Sequence, residues 1–134
     1  MRKPLAIIGM SPGNSYFKDF EVRFLLKETI ERFGFCAVMV ADVPAISTYM
    51  ALGYNAQKAR NKAIPKGNNL KNRTRRIAEE LGYAENQVRI IDWAEEVETS
   101  TAYQAHYKKI LEKYKSLPAF AHSVHETSRA VLAG

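Results

Sequence analysis

Gly9-Met10-Ser11-Pro12-Gly13-Asn14-Ser15 joins a short apolar run, Leu5-Ala6-Ile7-Ile8, to a helical pattern that begins at about Tyr16. An apolar run of this length, bounded by turn residues, predicts a buried strand. Gly9 and Gly13 permit the tight turns that must follow it. The junction therefore sets a serine hydroxyl at the carboxyl end of a strand. In open α/β sheets, ligands bind in the crevice beyond that end. Ser11 is accordingly the candidate nucleophile, and the chain offers few rivals for covalent chemistry. Two quieter readings of the same loop stand beside it. One is a glycine-rich turn in which Asn14 or Ser15 caps the first helix. The other is a phosphate cradle.

Two further strand-like runs follow, Cys36 to Ala41 and Val88 to Asp92. Each leads into helix-like sequence, the pattern of a parallel α/β sheet with flanking helices. The first helix is predicted from Tyr16 to Phe33, with an apolar stripe of Phe17, Phe20, Phe24 and Leu25 and a stop at Gly34. Asp42-Val43-Pro44 reads as the end of the second strand, and Ile46 to Tyr54 as a short helix or loop. Ile64-Pro65-Lys66-Gly67 is expected to break or kink the next helix. That helix resumes from Asn69 to Leu81 and stops at Gly82, and Thr101 to Lys115 and His122 to Leu132 read as two more. Three strands with so many helices make an incomplete sheet. The 134 residues are thus expected to be one domain, truncated on its carboxyl-terminal side.

Hydrophobic residues at 46% and charged residues at 25% are ordinary globular values. No apolar run approaches the roughly 20 residues of a membrane span, and the one near the start is too short for a signal-peptide core. A single cysteine, Cys36, excludes an internal disulfide and sits in an apolar run, as a buried thiol in a reducing compartment would. The expected location is cytoplasmic.

The net charge of +6 is concentrated in one place. No acidic residue lies between Asp42 and Glu79, an interval holding Lys58, Arg60, Lys62, Lys66, Lys71, Arg73, Arg75 and Arg76. Without those eight, 12 basic residues face 14 acidic ones. If helical, Lys62, Lys66, Arg73 and Arg76 share one face, with Lys71 and Arg75 on an adjacent one. Asn68, Asn69, Asn72 and Thr74 place neutral donors between them. The bland reading is a solvated helix face. The functional one is a stripe of cations that contacts the phosphates of an RNA backbone rather than single bases.

Several chemistries are disfavoured by the sequence. Gly9-Met10-Ser11-Pro12-Gly13 has the G-x-S-x-G form of a hydrolase nucleophile elbow, and Ser11, Asp92 and His122 or His125 even follow in triad order. That elbow takes an oxyanion donor from the backbone N–H after the serine, and Pro12 has none. No phosphate-loop or dinucleotide fingerprint is present, nor are the HIGH-like and KMSKS-like signatures of class I aminoacyl-tRNA synthetases, so nothing predicts ATP use or another cofactor. His106, His122 and His125 form no metal-ligand set with neighbouring cysteines or acids, and no metal is expected. Trp93 either lines the same crevice as Ser11 or fills the core. Tyr103 and Tyr107 lie one helical turn apart, and Tyr103 either packs or reaches the crevice.

In combination these blocks resemble the tRNA-dependent cyclodipeptide synthases. The resemblance rests on Gly9-x-Ser11-x-Gly13-Asn14-Ser15, on Ala51-Leu52-Gly53-Tyr54 before the Lys/Arg-rich helix, and on Ile90-Ile91-Asp92-Trp93. It implies a Rossmann-like fold similar to the catalytic domain of class I tyrosyl- and tryptophanyl-tRNA synthetases. It also implies an aminoacyltransferase that joins two aminoacyl-tRNAs into a cyclic dipeptide without ATP. Ser11 would accept the first aminoacyl group as an ester, in a ping-pong sequence. Gly9 and Asn14 would position that group, Ile7 and Trp93 would line its pocket, and Tyr103 matches a family tyrosine beside the active site. The basic helix would bind tRNA. The family also carries a tyrosine and a glutamate four residues apart in its carboxyl-terminal half, and neither Glu112 nor Glu126 has the matching tyrosine. The resemblance thus implies an amino-terminal portion that alone is inactive or limited to partial chemistry, from a protein monomeric at full length. The alternative is a non-catalytic RNA-binding module of the same shape.

Overall fold

Side chains alternate across a strand, and the first strand shows which side of the sheet is covered. The computed structural model describes residues 4–134. Strand β1 spans Ile7–Met10. Ile8 and Met10 turn toward the core, whereas Ile7 and Gly9 lie on the opposite, exposed side. The expected strand, Leu5 to Ile8, is thus displaced along the chain: Leu5 is exposed and Met10 is fully buried. The long Met10 side chain is what fills the core, so the strand runs on through Gly9 and ends directly at Ser11.

β1 pairs in parallel with β2 (Cys36–Val40), and β2 in parallel with β3 (Val88–Ile91), giving the order β1-β2-β3. The central strand is the most buried, with Cys36, Val38 and Val40 wholly inside. Helix α1 (Asp19–Phe33) covers this side with Val22, Leu26 and Ile30. It begins at Asp19 rather than Tyr16, so the apolar stripe differs from the expected one: Phe20 and Phe24 are exposed, and Phe17 packs on the core from the preceding loop. Gly34 closes the helix as expected, its N–H donating to the Ile30 carbonyl.

Helix α2 (Asp42–Ala51) starts where the second strand was expected to end. Pro44 falls in its first turn, where a missing N–H costs nothing. Helix α3 runs unbroken from Ala56 to Glu80, through Pro65. Pro65 is exposed, so the carbonyl it leaves unpaired is on the water side. The opposite side carries a continuous buried row including Ala59, Ala63, Gly67, Leu70, Thr74 and Ile77. That burial outweighs the proline. Small residues in the row let α2 approach closely: a Cβ on Gly67 would sit 2.5 Å from the Cβ of Asp42.

The chain divides into two compact units, one ending at Trp93 and the other running Ala94–Gly134. A short π-helical turn, Trp93–Val97, spans the division. The second unit holds α4 (Thr101–Ser116) and α5 (Pro118–Ala133). Ser100 caps α4 by accepting from the Tyr103 N–H, and Pro118 opens α5, earlier than the expected His122. Tyr114 and His125 join the two helices, with Oη and Nε2 2.5 Å apart. No helix among the described residues is long and apolar enough to cross a membrane.

A clasp of charges fastens α1 to α3. Asp19 meets Arg73 at 3.0 Å and Arg76 at 2.7 Å. Glu80 takes Arg76 at 3.1 Å, and also Arg23. Asp19 is held below its ordinary 3.8, chiefly by the hydrogen bond from Arg76. Glu80 is held below its ordinary 4.5, chiefly by the hydrogen bond from Arg23. For a carboxylate lowered by folding, the stabilisation is complete above the unfolded value and disappears as pH falls through the folded one. Stability to urea should therefore hold steady down to about pH 5 and fall below about pH 4. The double variant Asp19→Asn, Glu80→Gln should show a shallower acid limb in urea titrations at a series of pH values.

Candidate active site

Ser11 is exposed and follows directly on a buried residue. The Met10 carbonyl accepts from the Ala41 N–H at 3.0 Å, which fixes the strand end before the serine. Pro12 and Gly13 then form the centre of a turn closed by the Asn14 N–H donating to the Ser11 carbonyl at 3.3 Å. Proline pre-sets the first central position of a type II turn, and the second needs a positive φ. Gly13 supplies it at 77°.

Asn14 Oδ1 accepts from the Tyr16 N–H at 2.9 Å, an Asx turn rather than a helix cap. The capping reading of Asn14 and Ser15 does not hold: α1 starts later, with Lys18 at its N-cap and no side-chain cap bond. Ile7, 52% exposed, and Gly9 lie on the uncovered side of β1. A Cβ on Gly9 would meet nothing within 4 Å, so packing within this chain does not demand a glycine there. Trp93 stands at the carboxyl end of β3, half-buried. Tyr103 belongs to the second unit, on α4, half-buried with its ring 6.1 Å from that of Tyr107.

The eight cations do not form one uniform stripe. Lys58 and Arg60 are exposed on the first turns of α3. Lys62 lies over the Tyr54 ring at 4.7 Å, and Lys66 over the Tyr49 ring at 5.3 Å while donating to Tyr49 Oη at 3.0 Å. These stacks hold both ammonium groups against α2 and its exit turn. Arg73 and Arg76 belong to the clasp on Asp19. Arg75 bonds Asn72 at 3.1 Å and lines a separate recess with Glu79 and Glu85.

Lys71 corrects the expectation most clearly. It is 7% exposed, and its ammonium lies 2.9 Å from Asp42 Oδ2 and 3.5 Å from Asp92 Oδ2. It points under the strand ends rather than out toward a phosphate. Asp42, itself 5% exposed, also accepts from the Val43 N–H at 2.8 Å. Neither this triad nor the aromatic partners Tyr49 and Tyr54 came from the sequence reading. A signal was present: Asp42 directly follows the second strand run and opens the acid-free interval containing Lys71, and Asp92 closes the third run.

A recess of about 300 Å³ opens between the Ser11 loop and α3, lined among others by Gly13, Asn14, Lys66, Asn69 and Arg73. Cys36 is distant from such chemistry: burial pushes its thiol from 9.0 up to about 11, so it stays protonated and inert. Among the described residues, no three His, Cys, Asp or Glu side chains converge as a metal site.

A three-stranded parallel sheet with flanking helices and a serine loop at its carboxyl edge defines a Rossmann-like α/β protein. A profile of the cyclodipeptide synthase family matches residues 2–134, and the chain belongs to that family. It is 29% identical over 127 residues to the cyclo(L-leucyl-L-phenylalanyl) synthase of Streptomyces noursei, covering 95% of this chain and 53% of that enzyme. A 59-residue stretch is 41% identical to the cyclo(L-tyrosyl-L-tyrosyl) synthase of Mycobacterium tuberculosis, covering 44% of this chain and 20% of the relative. Among solved structures, a Mycobacterium tuberculosis cyclodipeptide synthetase superposes with a TM-score of 0.83 at 26% identity, over 98% of this chain and 56% of that one. Its report relates such proteins to type I tRNA synthetases. A cyclodipeptide synthase from Streptomyces noursei gives 0.78 at 27% identity, over 98% of this chain and 62% of that one. The chain thus spans about half the length of the relatives it matches along most of its length.

Two substitutions separate the scaffold from the site. Lys71→Ala leaves two carboxylates facing each other, one of them buried. Breaking such a pair costs about 3 kcal/mol or more, and urea unfolding should show a loss of that size. Gly9→Ala places a methyl in open space in a strand, where alanine is favoured by about 0.5–1 kcal/mol. Its melting temperature should hold or rise slightly, so a loss of function in this variant would be a loss at the site and not of the fold.

Proposed function

We propose that this chain carries the acyl-accepting centre of a tRNA-dependent cyclodipeptide synthase, with Ser11 as the nucleophile. The observation that carries the reading is the placement of Ser11. It is exposed at the carboxyl end of β1, fixed by the buried Met10 before it and the Pro12-Gly13 turn after it. The matched family supplies the reaction class, and the cations of α3 supply complementarity to RNA.

The proposed step is a transesterification. Ser11 Oγ attacks the carbonyl of the aminoacyl ester at the RNA 3′ end. A new ester bond forms to Oγ, the ribosyl ester bond breaks, and the serine proton goes to the departing ribose hydroxyl. One ester is exchanged for another, so no ATP is required. Covalent catalysis splits the two amino-acid deliveries into successive steps of a ping-pong cycle. Asn14 has its Oδ1 occupied by the Tyr16 N–H, so its amide NH₂ is the end that can donate to the substrate. Ile7 and Trp93 would border the aminoacyl side chain. The complete cycle is assigned to the full-length protein, monomeric and cytoplasmic. The 134 residues alone are expected not to cyclise a dipeptide.

A non-catalytic RNA-binding module is the alternative, favoured by the cations on α3 considered without the serine. Intact mass after mixing with a pool of charged tRNAs decides between them. The expected result is a gain of one aminoacyl residue on the wild-type chain and none on Ser11→Ala. An unchanged mass for a chain that binds tRNA, with a full-length homologue acylated in parallel, would favour the binding module.

A further inference from the structure

The recess between the Ser11 loop and α3 contains cations of a different character from those exposed at the start of the helix. Lys66 is fixed by its stack on Tyr49 and its bond to Tyr49 Oη, yet an ammonium has three donors. Arg73 spends one donor on Asp19 and another on the Phe17 carbonyl at 2.6 Å, leaving others of its five. Asn69 adds an amide between them along α3. The Gly13 backbone forms the facing wall, and a Cβ there would meet Lys66 Cδ at 3.3 Å. Asp19 is the acid that meets Arg73, and no carboxylate lines the recess itself among the described residues. The other recess, by contrast, includes Glu79 and Glu85. Two pre-oriented cations, an amide and a glycine backbone without a lining acid suit a tetrahedral oxyanion.

Position identifies the anion. Gly13 lies two residues beyond Ser11, so their Cα atoms are within about 7 Å. In an aminoacyl-RNA, the ester and the terminal phosphate are carried on the same ribose, a handful of bonds apart. We propose that this recess is a subsite for the 3′-terminal phosphodiester of the RNA, seating the last nucleotide so that its ester meets Ser11. The assignment rests on the acyl-transfer reading and deepens it. It divides the basic helix into parts: Lys66 and Arg73 hold one defined phosphate, whereas Lys58, Arg60 and Lys62 serve the backbone more generally.

The test uses deacylated tRNA with either its natural 3′-terminal linkage or an uncharged methylphosphonate there, with binding followed by fluorescence anisotropy. Removing a charge-assisted contact should weaken wild-type binding roughly tenfold. In Lys66→Met the same replacement should cost less than about twofold, because the partners are coupled. Lys66→Arg should restore the tenfold difference, which separates lost charge from lost packing on Tyr49. Equal losses in wild type and Lys66→Met would overturn the subsite. So would wild-type binding insensitive to the methylphosphonate, although Ser11 acylation could still proceed and the parent reading would stand. Coupling at Lys66 without Ser11 acylation would keep the subsite and reject the acyl-transfer reading. Lys66-dependent amide shifts of Gly13 and Asn14 with inorganic phosphate, in a chain that binds no tRNA, would overturn the RNA assignment in favour of a free anion.

Discussion

One buried ammonium joins three elements that the sequence keeps far apart. Lys71 projects from α3 to Asp42, where β2 gives way to α2, and to Asp92, at the end of β3. One turn further along, the Thr74 hydroxyl reaches Met10 Sδ at 3.8 Å, under the end of β1. The carboxyl ends of all three strands are thus tied to the same two turns of one helix. Such a network is costly to leave partly satisfied, so the elements that frame Ser11 are held in one arrangement. The lysine therefore acts at the carboxyl edge of the sheet while staying buried beneath it.

α3 carries two jobs on its two sides. Inward, alanine, glycine, threonine and leucine allow α2 and the sheet to approach closely. Outward, lysines and arginines remain in contact with solvent. Tyrosines from α2 and its exit turn lie beneath two of the lysines, so those charges are supported rather than free to sweep. Asp19 draws two arginines toward α1 and so moves them out of the general pool of cations. The acid-free stretch of sequence is therefore not an acid-free surface in space, because its acids come from other elements.

The strands were legible because short apolar runs between turn residues have few alternatives. The serine loop was legible because proline followed by glycine specifies a turn with little tertiary help. The proline in α3 misled because local propensity carries no information about a buried row long enough to outweigh it. Lys71 misled for a related reason: helical spacing places it next to surface cations, while its direction depends on Asp42 and Asp92, distant in sequence. The start of α1 was misplaced because Phe17 carries the right hydrophobicity for a stripe yet packs from a loop. Boundaries and pairings that depend on remote partners were thus the parts that could not be read.

The register of the sheet sets how much chain each strand pairing must close. β1 meets β2 with Ile7 opposite Ala37, a separation of 30 residues, while β2 meets β3 with Cys36 opposite Val88, a separation of 52. Loop-closure entropy rises with the length closed, but here most of the longer interval is helix, and helices form quickly from local contacts. A helix rises only about 1.5 Å per residue, so α3 spans the interval between β2 and β3 far more compactly than an extended chain would. Lys71, carried on that helix, meets both Asp42 and Asp92, so one counter-charge links the end of the third strand to the end of the second. The longer of the two strand pairings is thus the one that carries an ion pair across its closing helix.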